Sequence, residues 1–407
     1  MVKNKQYYKF CTYGFLKNLR FFDAFFILLL IDKGVTYTNI GIMYALREVI
    51  INILEIPSGL IADTYGRKLS LIFSFIFYIF SFIIFYFSQQ FWFLLLGFAL
   101  FCIGDAFRSG THKAMIIDYL AENNWSNQKV EYYGQTRSCS QKGSALSALF
   151  AGGIMFFGSS NIIFLISIIP YLLNIINVAS YPKSLNKSQS YNSKRNLKVT
   201  FHDFVNTLKN PKLLGLLNTS ATHSAYLKAI KDYVQIIILQ LGLSIPFIMN
   251  FEGQQRDAIL IAVAYFAIFM MSSFASKKAA FIMHIFKKTD IANISLIKGL
   301  SFGILSGLFY INGLWLMSLL SFIAIYLIEN IRKPILTGFI SDNVPNEILT
   351  SVISVQSQIK TLLTAIFAVA FGLMMDNYGI GISIIVISSV LMVFTIIFAF
   401  WGPKKMG

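Results

Sequence analysis

The amino-acid sequence predicts an all-α polytopic membrane protein, with twelve transmembrane helices arranged in two pseudo-symmetric six-helix bundles. Three observations lead to this fold class. The 407-residue chain is 56% hydrophobic and only 13% charged, whereas soluble domains carry about 25% charged residues. Many of its apolar runs have the roughly 20 residues that one membrane crossing requires. Finally, one pattern of three charged residues occurs twice at matched positions, which indicates two related halves.

Apolar runs separated by polar residues define the predicted spans in chain order. The spans are 10–31, 37–62, 69–89, 91–119, 132–157, 159–181, 212–242, 256–277, 289–310, 313–337, 348–375 and 379–401. A basic loop rich in Ser and Asn separates the sixth span from the seventh. We therefore predict an N-terminal bundle over residues 1–181, a cytoplasmic central loop over 182–211 and a C-terminal bundle over 212–407. The Phe-rich third span is expected to face lipid.

The basic residues predict the orientation of the chain. Its net charge is +16, and most Lys and Arg residues outside the spans fall in loops on one side, with Lys33 and Arg256 on the other. Loops rich in Lys and Arg stay in the cytoplasm. We therefore expect a multi-pass protein of the cell (inner) membrane with both termini in the cytoplasm. The positive charge then needs no nucleic-acid partner to explain it.

The three cysteines, Cys11, Cys102 and Cys139, lie in or beside apolar segments. They lack the spacing of metal ligands and are expected to be small packing residues rather than disulfides. No metal or cofactor is predicted. The expected partners are a small-molecule solute, protons and the lipid bilayer, and we expect a monomer.

The fourth and tenth spans share the pattern of an acidic residue, Arg three residues later and Asp ten residues after that. The two sets are Asp105, Arg108 and Asp118, and Glu329, Arg332 and Asp342. Corresponding residues of the two sets are separated by the same distance along the chain. Duplication into parallel halves explains this match, and many secondary transporters have such an architecture.

A glycine-rich basic turn follows the second span. It reads G-x-x-x-D-x-x-G-R-K over Gly59, Asp63, Gly66, Arg67 and Lys68, and we call it the signature loop. Gly59 would let helices approach closely and Gly66 would permit a tight turn. Asp63 could accept hydrogen bonds from a neighbouring helix end or from Arg67. Because the loop lies far from mid-membrane, we expect it to control conformational switching rather than solute affinity.

The signature loop closely resembles that of the major facilitator superfamily. This resemblance implies twelve helices, with the first, fourth, seventh and tenth lining a central cavity. The corresponding loop of the second half departs from the pattern, since Ser276 stands where Asp is expected. Residues 143–153 of the fifth span also lack the Gly/Pro pattern typical of drug/proton antiporters, which counts against drug export.

Ionisable residues inside the predicted spans are candidates for function, because each costs roughly 2.5–3.5 kcal/mol near the bilayer centre. Arg20 and Asp23 would share one helix face, and Asp105, Arg108 and His112 would form one stripe. These groups would either bind solute or form salt bridges that hold helices together. The candidate cavity residues are Arg20, Asp23, Arg47, Glu48, Asp105, Arg108, His112, Tyr226, Lys228, Glu329, Arg332, Gln356 and Gln358.

The functional prediction is a secondary active transporter that works by alternating access. A surplus of Lys and Arg inside the spans favours an anionic or zwitterionic solute. Proton coupling is expected, with Asp23, Glu48, Asp105 and His112 as candidate carriers. A multidrug or antibiotic efflux antiporter is the alternative. An enzyme is disfavoured because no H-E-x-x-H, G-x-S-x-G or nucleotide-binding G-x-x-x-x-G-K-[ST] motif occurs, and the preserved signature loop disfavours a receptor that moves no solute.

Overall fold

The computed structural model describes residues 2–109, 111–125, 129–158, 160–186, 211–246, 250–285, 291–343 and 346–401. No β-strand occurs in this part of the chain, and short 3-10 turns lie at Asp23–Phe25, Lys183–Asn186 and Lys231–Tyr233. The α-helices are α1 Lys5–Lys17, α2 Phe26–Asp32, α3 Tyr37–Tyr65, α4 Arg67–Phe87, α5 Phe91–Arg108, α6 Thr111–Glu122, α7 Lys129–Phe157, α8 Ile162–Ile166, α9 Ile168–Ala179, α10 Pro211–Ile230, α11 Val234–Gly242, α12 Gly253–Ile285, α13 Ile291–Ile311, α14 Trp315–Asn343 and α15 Asn346–Trp401. Most of the predicted central loop, from residue 187 to 210, lies outside the described residues.

Seven segments of the described chain are long and apolar enough to cross a membrane. They are Arg67–Phe87, Phe91–Glu122, Ile162–Ala179, Gly253–Ser272, Ile294–Ile311, Trp315–Arg332 and Val355–Ile397. At 1.5 Å per residue, 18 residues of helix reach about 27 Å, close to the thickness of the hydrocarbon core. The protein is therefore a multi-pass helical membrane protein.

This number of segments does not confirm the predicted twelve crossings. Val355–Ile397 has 43 residues, enough for two crossings, and Gly379 interrupts its helix with φ of 73°. Charges within α3, α7 and α10 reduce the hydropathy of helices that were predicted as spans.

Four of the predicted spans are interrupted, which corrects the expectation of continuous helices; in span 159–181 the break is the single residue Ser167 between α8 and α9. Span 10–31 contains α1, a 3-10 turn and α2. Span 91–119 breaks at Ser109, whose ψ of 127° ends α5, and span 212–242 contains the 3-10 turn Lys231–Tyr233. Polar residues mark the last three breaks in the sequence, with Lys17, Asn18 and Arg20 in span 10–31, Arg108 and Ser109 in span 91–119, and Lys231 and Asp232 in span 212–242. Averaging hydropathy over a whole span hides such short polar clusters.

The described chain packs into two compact units. The first comprises Met1–Val35, Val49–Asn192 and Ile245–Met270, and the second comprises Thr36–Glu48, Ser193–Ser244 and Met271–Gly407. Each unit thus combines segments from both halves of the sequence. The predicted bundle boundaries remain a prediction.

The first unit has an aromatic core along α4. Its buried face follows the three- and four-residue spacing of a helix, with Leu71, Phe75, Tyr78, Phe82 and Phe85 all fully buried. Ser74 donates a hydrogen bond of 2.7 Å to the carbonyl of Gly104 on α5, which brings the two helices close. The expectation that this Phe-rich span faces lipid is therefore wrong for its buried face. It stays a prediction for the opposite face, where Phe73, Phe80 and Phe87 are exposed.

The second unit is held together by small polar contacts between buried helices. Ser306 on α13 and Ser318 on α14 are fully buried, and each hydroxyl donates to the carbonyl of the other residue, at 3.0 and 2.8 Å. Tyr226 on α10 is also fully buried, and its hydroxyl lies 2.6 Å from the Ser388 hydroxyl on α15. These contacts satisfy polar groups that would otherwise be costly in an apolar interior.

Candidate functional site

The signature loop forms a tight, tied-down turn between α3 and α4. Gly66 has φ of 104° and precedes the first residue of α4, as its predicted turn requires. The Lys68 backbone N–H donates to Asn186 Oδ1 at 3.2 Å, and Lys68 Nζ donates to the carbonyls of Ala179 and Tyr181 at 2.8 and 2.7 Å. A side chain distant in the sequence therefore caps the start of α4.

The other residues of the loop have different surroundings. Arg67 forms an ion pair with Asp118 on α6, while the side chain of Asp63 lies outside the described residues. The predicted close helix approach at Gly59 is wrong for the described chain, because Gly59 is exposed and a Cβ there would have open space around it.

The two glycines of the loop therefore predict opposite outcomes on substitution. Gly66→Ala should destabilise the protein by about 1–2 kcal/mol, because L-residues are strained at positive φ. The added methyl would also meet the Asn186 side chain. Gly59→Ala, the matched control within helix α3, should be neutral or stabilise by roughly 0.5–1 kcal/mol. Thermal unfolding of detergent-purified protein measures both, and equal midpoints for the two variants would contradict the assigned turn.

A buried cluster in the first unit centres on Asp105, which is only 4% exposed. Its Oδ1 accepts hydrogen bonds from Arg20 at 3.1 Å, from Arg108 at 2.9 Å and from the Tyr78 hydroxyl at 2.5 Å. Arg20 also donates to the Tyr171 hydroxyl at 2.9 Å. One carboxylate thus stands between two guanidinium groups, so the cluster of Arg20, Asp105 and Arg108 carries surplus positive charge.

The predicted face shared by Arg20 and Asp23 does not form, because no helix runs through both residues. The chain leaves α1 at Lys17, and Asp23 is exposed at the start of a 3-10 turn. This turn brings Arg20 to Asp105, far away in the sequence. The i, i+3 pair of Asp105 and Arg108 does form, as an ion pair at the end of α5.

His112 belongs to α6, beyond the break at Ser109, so it does not continue a helical stripe from Asp105 and Arg108. Its ring stacks on Tyr13 with the centroids 3.5 Å apart and the planes at 8°. Nε2 lies 3.2 Å from the Tyr181 hydroxyl. These contacts fix the ring beside the Arg108 side chain.

Arg108 and His112 line a cavity of about 340 Å³ in the first unit. α1, α6 and α7 supply most of the lining, and its basic members are Lys17, Arg108, His112 and Lys113. Its remaining lining is Phe10, Tyr13, Gly14, Ile116, Thr136 and Ser140. No Asp or Glu lies among the described residues of this lining. Lys17, Thr136 and Ser140 were missed as site residues; Lys17 could have been found as a cation inside a predicted span.

In the second unit, Glu48 and Lys228 form an ion pair. Lys228 Nζ lies 2.6 Å from Oε1 and 2.7 Å from Oε2 of Glu48, whose side chain is 4% exposed. One turn before Glu48, the Tyr44 hydroxyl donates to Asp232 at 3.1 Å. Arg47 lies beside this pair in the sequence and is half-buried.

The Glu329 and Arg332 pair of the tenth span makes contacts unlike those of its counterpart. Glu329 bonds to His223 Nδ1 at 2.7 Å and accepts a hydrogen bond from Ser224. Arg332, 1% exposed, donates through Nε to Ser295 at 2.9 Å and through Nη2 to the Thr219 carbonyl. The side chain of Asp342, the third member of the repeat, lies outside the described residues.

The two predicted glutamines of α15 differ in their surroundings. Gln356 donates to the Ser220 hydroxyl at 2.5 Å, whereas Gln358 is exposed. Gln356 thus faces α10, the helix that carries His223.

A family model described as Major Facilitator Superfamily matches residues 18–362. This chain belongs to the major facilitator superfamily. The match covers most of the sequence, so the family suggested by the signature loop is confirmed. The fold and the transport class of the protein follow from this membership.

Individual relatives agree with the family. The chain is 23% identical over 381 residues to an uncharacterized MFS-type transporter, YxaM of Bacillus subtilis (strain 168), covering 91% of this chain and 89% of that one. The structure of the present chain resembles that of the nucleoside transporter NupG with a TM-score of 0.77 at 12% identity, over 99% and 100% of the two chains. It also resembles a D-xylose-proton symporter with a TM-score of 0.70 at 12% identity, over 97% and 96%. At these identities the two structures support the fold.

Proposed function

We propose that this member of the superfamily is a secondary active transporter that carries a small anionic or zwitterionic solute by alternating access, coupled to protons. The basic cavity of the first unit supports the charge of the solute. Proton coupling has a precedent among the structural neighbours, one of which is a D-xylose-proton symporter.

The observation that carries the proposal is a pair of basic donors in one cavity. Arg108 uses Nε for the Tyr78 hydroxyl at 3.0 Å and Nη2 for Asp105 at 2.9 Å, and it also interacts with the Tyr13 hydroxyl in the cavity lining. Lys17, on the same lining, supplies a second cation. A carboxylate or phosphate between them would receive two charge-assisted hydrogen bonds.

The electrostatics of the surroundings favour the same ligand charge. Asp105 faces both Arg20 and Arg108, and Asp23 acts on Arg20 as well, but neither carboxylate is among the residues that line the cavity. Lys17 and Lys113 add to the positive charge of the lining. Charges interact more strongly away from bulk water, so this cavity should attract anions and repel lipophilic cations.

The size of the cavity restricts the solute. Its volume of about 340 Å³ lies near the lower end of the roughly 300–1,000 Å³ range of small-molecule sites. The lining is mixed, with the Phe10 and Tyr13 rings beside the Thr136 and Ser140 hydroxyls. A compact solute with one acidic group and a short polar or apolar body would fit this lining.

A thermal-shift screen of the detergent-purified protein tests the charge preference. The probes are lactate, glutamate and glucose 6-phosphate as anions or zwitterions, uridine and xylose as neutral solutes, and ethidium as a lipophilic cation. A ligand at 100 times its Kd stabilises by about 2.7 kcal/mol. We expect stabilisation only by acidic probes, followed by uptake of the best one into proteoliposomes under an inward proton gradient. Stabilisation by ethidium alone would favour the efflux alternative.

Lys17 gives the proposal a residue-level test. Lys17→Gln should weaken binding of the acidic probe roughly ten- to a hundredfold, because a hydrogen bond to a charged group contributes about 1.5–3 kcal/mol. Lys5→Gln, which removes the same charge from an exposed position of the same helix, is the matched control. Binding titrations by calorimetry compare the two, and equal losses would indicate a general charge effect instead of a contact in the cavity.

A further inference from the structure

A second cluster of ionisable groups, which the proposed solute site does not use, lies in the second unit. His223 on α10 is fully buried, and its Nδ1 lies 2.7 Å from Oε2 of Glu329 on α14. The Ser224 hydroxyl donates to the other oxygen, Oε1. Both oxygens of this carboxylate are therefore engaged, one of them by a titratable group.

The second nitrogen of His223 makes no hydrogen bond. Nε2 is buried and has no partner among the described residues. It lies against Gly299 of α13, where any Cβ would collide with the imidazole. An unpaired buried polar atom destabilises the folded state, so packing alone gives no reason to place a histidine here in preference to an apolar residue. Proton binding by the imidazole would be such a reason.

The charges around the pair balance until a proton binds. Arg332 on α14 is the charged group that acts on both His223 and Glu329. α13 contributes the Ser295 hydroxyl and Gly299, with Lys298 exposed, and α15 contributes Gln356, with half-buried Lys360 one turn further on. With a neutral imidazole, Arg332 offsets the Glu329 carboxylate. When one proton binds to this group of three residues, its net charge rises by one unit.

We propose that His223 and Glu329 form a single-proton site that is loaded and emptied during the transport cycle. This inference rests on the proposed function, since it assigns the proton coupling to named atoms. The proton arrives from water at Glu329, whose side chain is 12% exposed. The contact between Nδ1 and Oε2 already contains the N–H of the neutral imidazole, so the arriving proton binds the other oxygen, Oε1, beside the Ser224 hydroxyl. It leaves from Oε1 by the same route.

The geometry favours this pair over the carriers predicted from the sequence. Asp105 forms ion pairs with two guanidinium groups, and Glu48 forms an ion pair with the Lys228 ammonium group. Glu329 instead contacts an imidazole, a group that can both donate and accept a proton.

Infrared difference spectroscopy of the detergent-purified protein tests the site without any solute. On acidification, the wild type should gain the C=O stretching band of a protonated carboxyl group, and Glu329→Gln should lose this band. His223→Gln keeps the carboxyl group but should move the midpoint pH of the band. Absence of a titrating band that depends on Glu329, or a midpoint unchanged in His223→Gln, would overturn the proposal.

Ser306→Ala is the matched control, because it removes a buried hydrogen bond from the same unit and no ionisable group. Its infrared titration should equal that of the wild type. If Glu329→Gln does not fold, judged by its thermal unfolding, the midpoint shift in His223→Gln decides the outcome alone.

Transport assays connect the site to coupling. With the acidic solute found in the thermal-shift screen, Glu329→Gln proteoliposomes should retain solute exchange at equal pH and lose accumulation driven by a proton gradient. Unchanged accumulation would refute the coupling role. Failure of the solute proposal would appear instead as absence of any stabilising probe, while the infrared titration could still succeed.

Discussion

Asp105→Asn should abolish transport and lower the free energy of unfolding by about 3–5 kcal/mol, the cost of breaking a buried ion pair from one side. The substitution keeps the shape of the side chain and removes its charge. Arg20 and Arg108 would then face each other with 11% and 22% of their side chains exposed and no carboxylate between them. The Tyr78 hydroxyl would also lose its charged acceptor at 2.5 Å.

Thermal unfolding and proteoliposome uptake measure the two effects separately. Asp32→Asn is the control, since it removes a carboxylate from an exposed position and should leave both measurements unchanged. Arg20→Gln in the Asp105→Asn background should recover stability, because it removes one of the two unbalanced charges. If Asp105→Asn alone melts like the wild type, the cluster does not contribute to the stability of the first unit.

Exchanging the charges, with Asp105→Arg and Arg108→Asp together, should not restore the protein. A pair that only held α5 together would tolerate the exchange. Asp105, however, also binds Arg20 and Tyr78, and an arginine at position 105 would stand against Arg20. Normal uptake by this double variant would mean that Asp105 and Arg108 form only a local salt bridge, and that the contacts of Asp105 with Arg20 and Tyr78 are dispensable.

The sequence predicted the family, the helical class and several polar positions, because composition, spacing and the signature loop are local properties. The contacts of those positions depend on distant residues. Gly66 was predicted to form a turn. The hydrogen bond from the Lys68 backbone N–H to Asn186 Oδ1, however, joins two positions that no sequence pattern connects. The break after Lys17 coincides with the polar residues Asn18 and Arg20, but nothing near them in the sequence indicates that Arg20 pairs with Asp105.

The repeated charge pair illustrates the same limit. Equal spacing places Asp105 with Arg108, and Glu329 with Arg332, on one face of a helix, and it says nothing about the opposing helices. In the first unit a second arginine faces the carboxylate. In the second unit a histidine does so. The two copies of the pattern therefore share the positions of the charges, whereas the partners of the two carboxylates differ.

Arg332→Ala should also abolish transport, with a loss of about 3–5 kcal/mol in the free energy of unfolding. The guanidinium is almost completely buried and joins three helices. It lies on α14, donates to the Ser295 hydroxyl on α13, and donates to the Thr219 carbonyl on α10. Its removal would take one hydrogen-bond donor from each of these acceptors and the neighbouring positive charge from Glu329.

Arg332→Lys separates charge from geometry. A lysine keeps the positive charge, but its single ammonium group cannot reproduce donors that diverge from a planar guanidinium. We therefore expect Arg332→Lys to remain unstable and inactive, while Ser295→Ala, which removes one acceptor of the same group, should cost only about 1 kcal/mol. Thermal unfolding and uptake are again the measurements. Full activity of Arg332→Lys would mean that the positive charge beside Glu329 is sufficient, and that the link between α10 and α13 through Arg332 is dispensable.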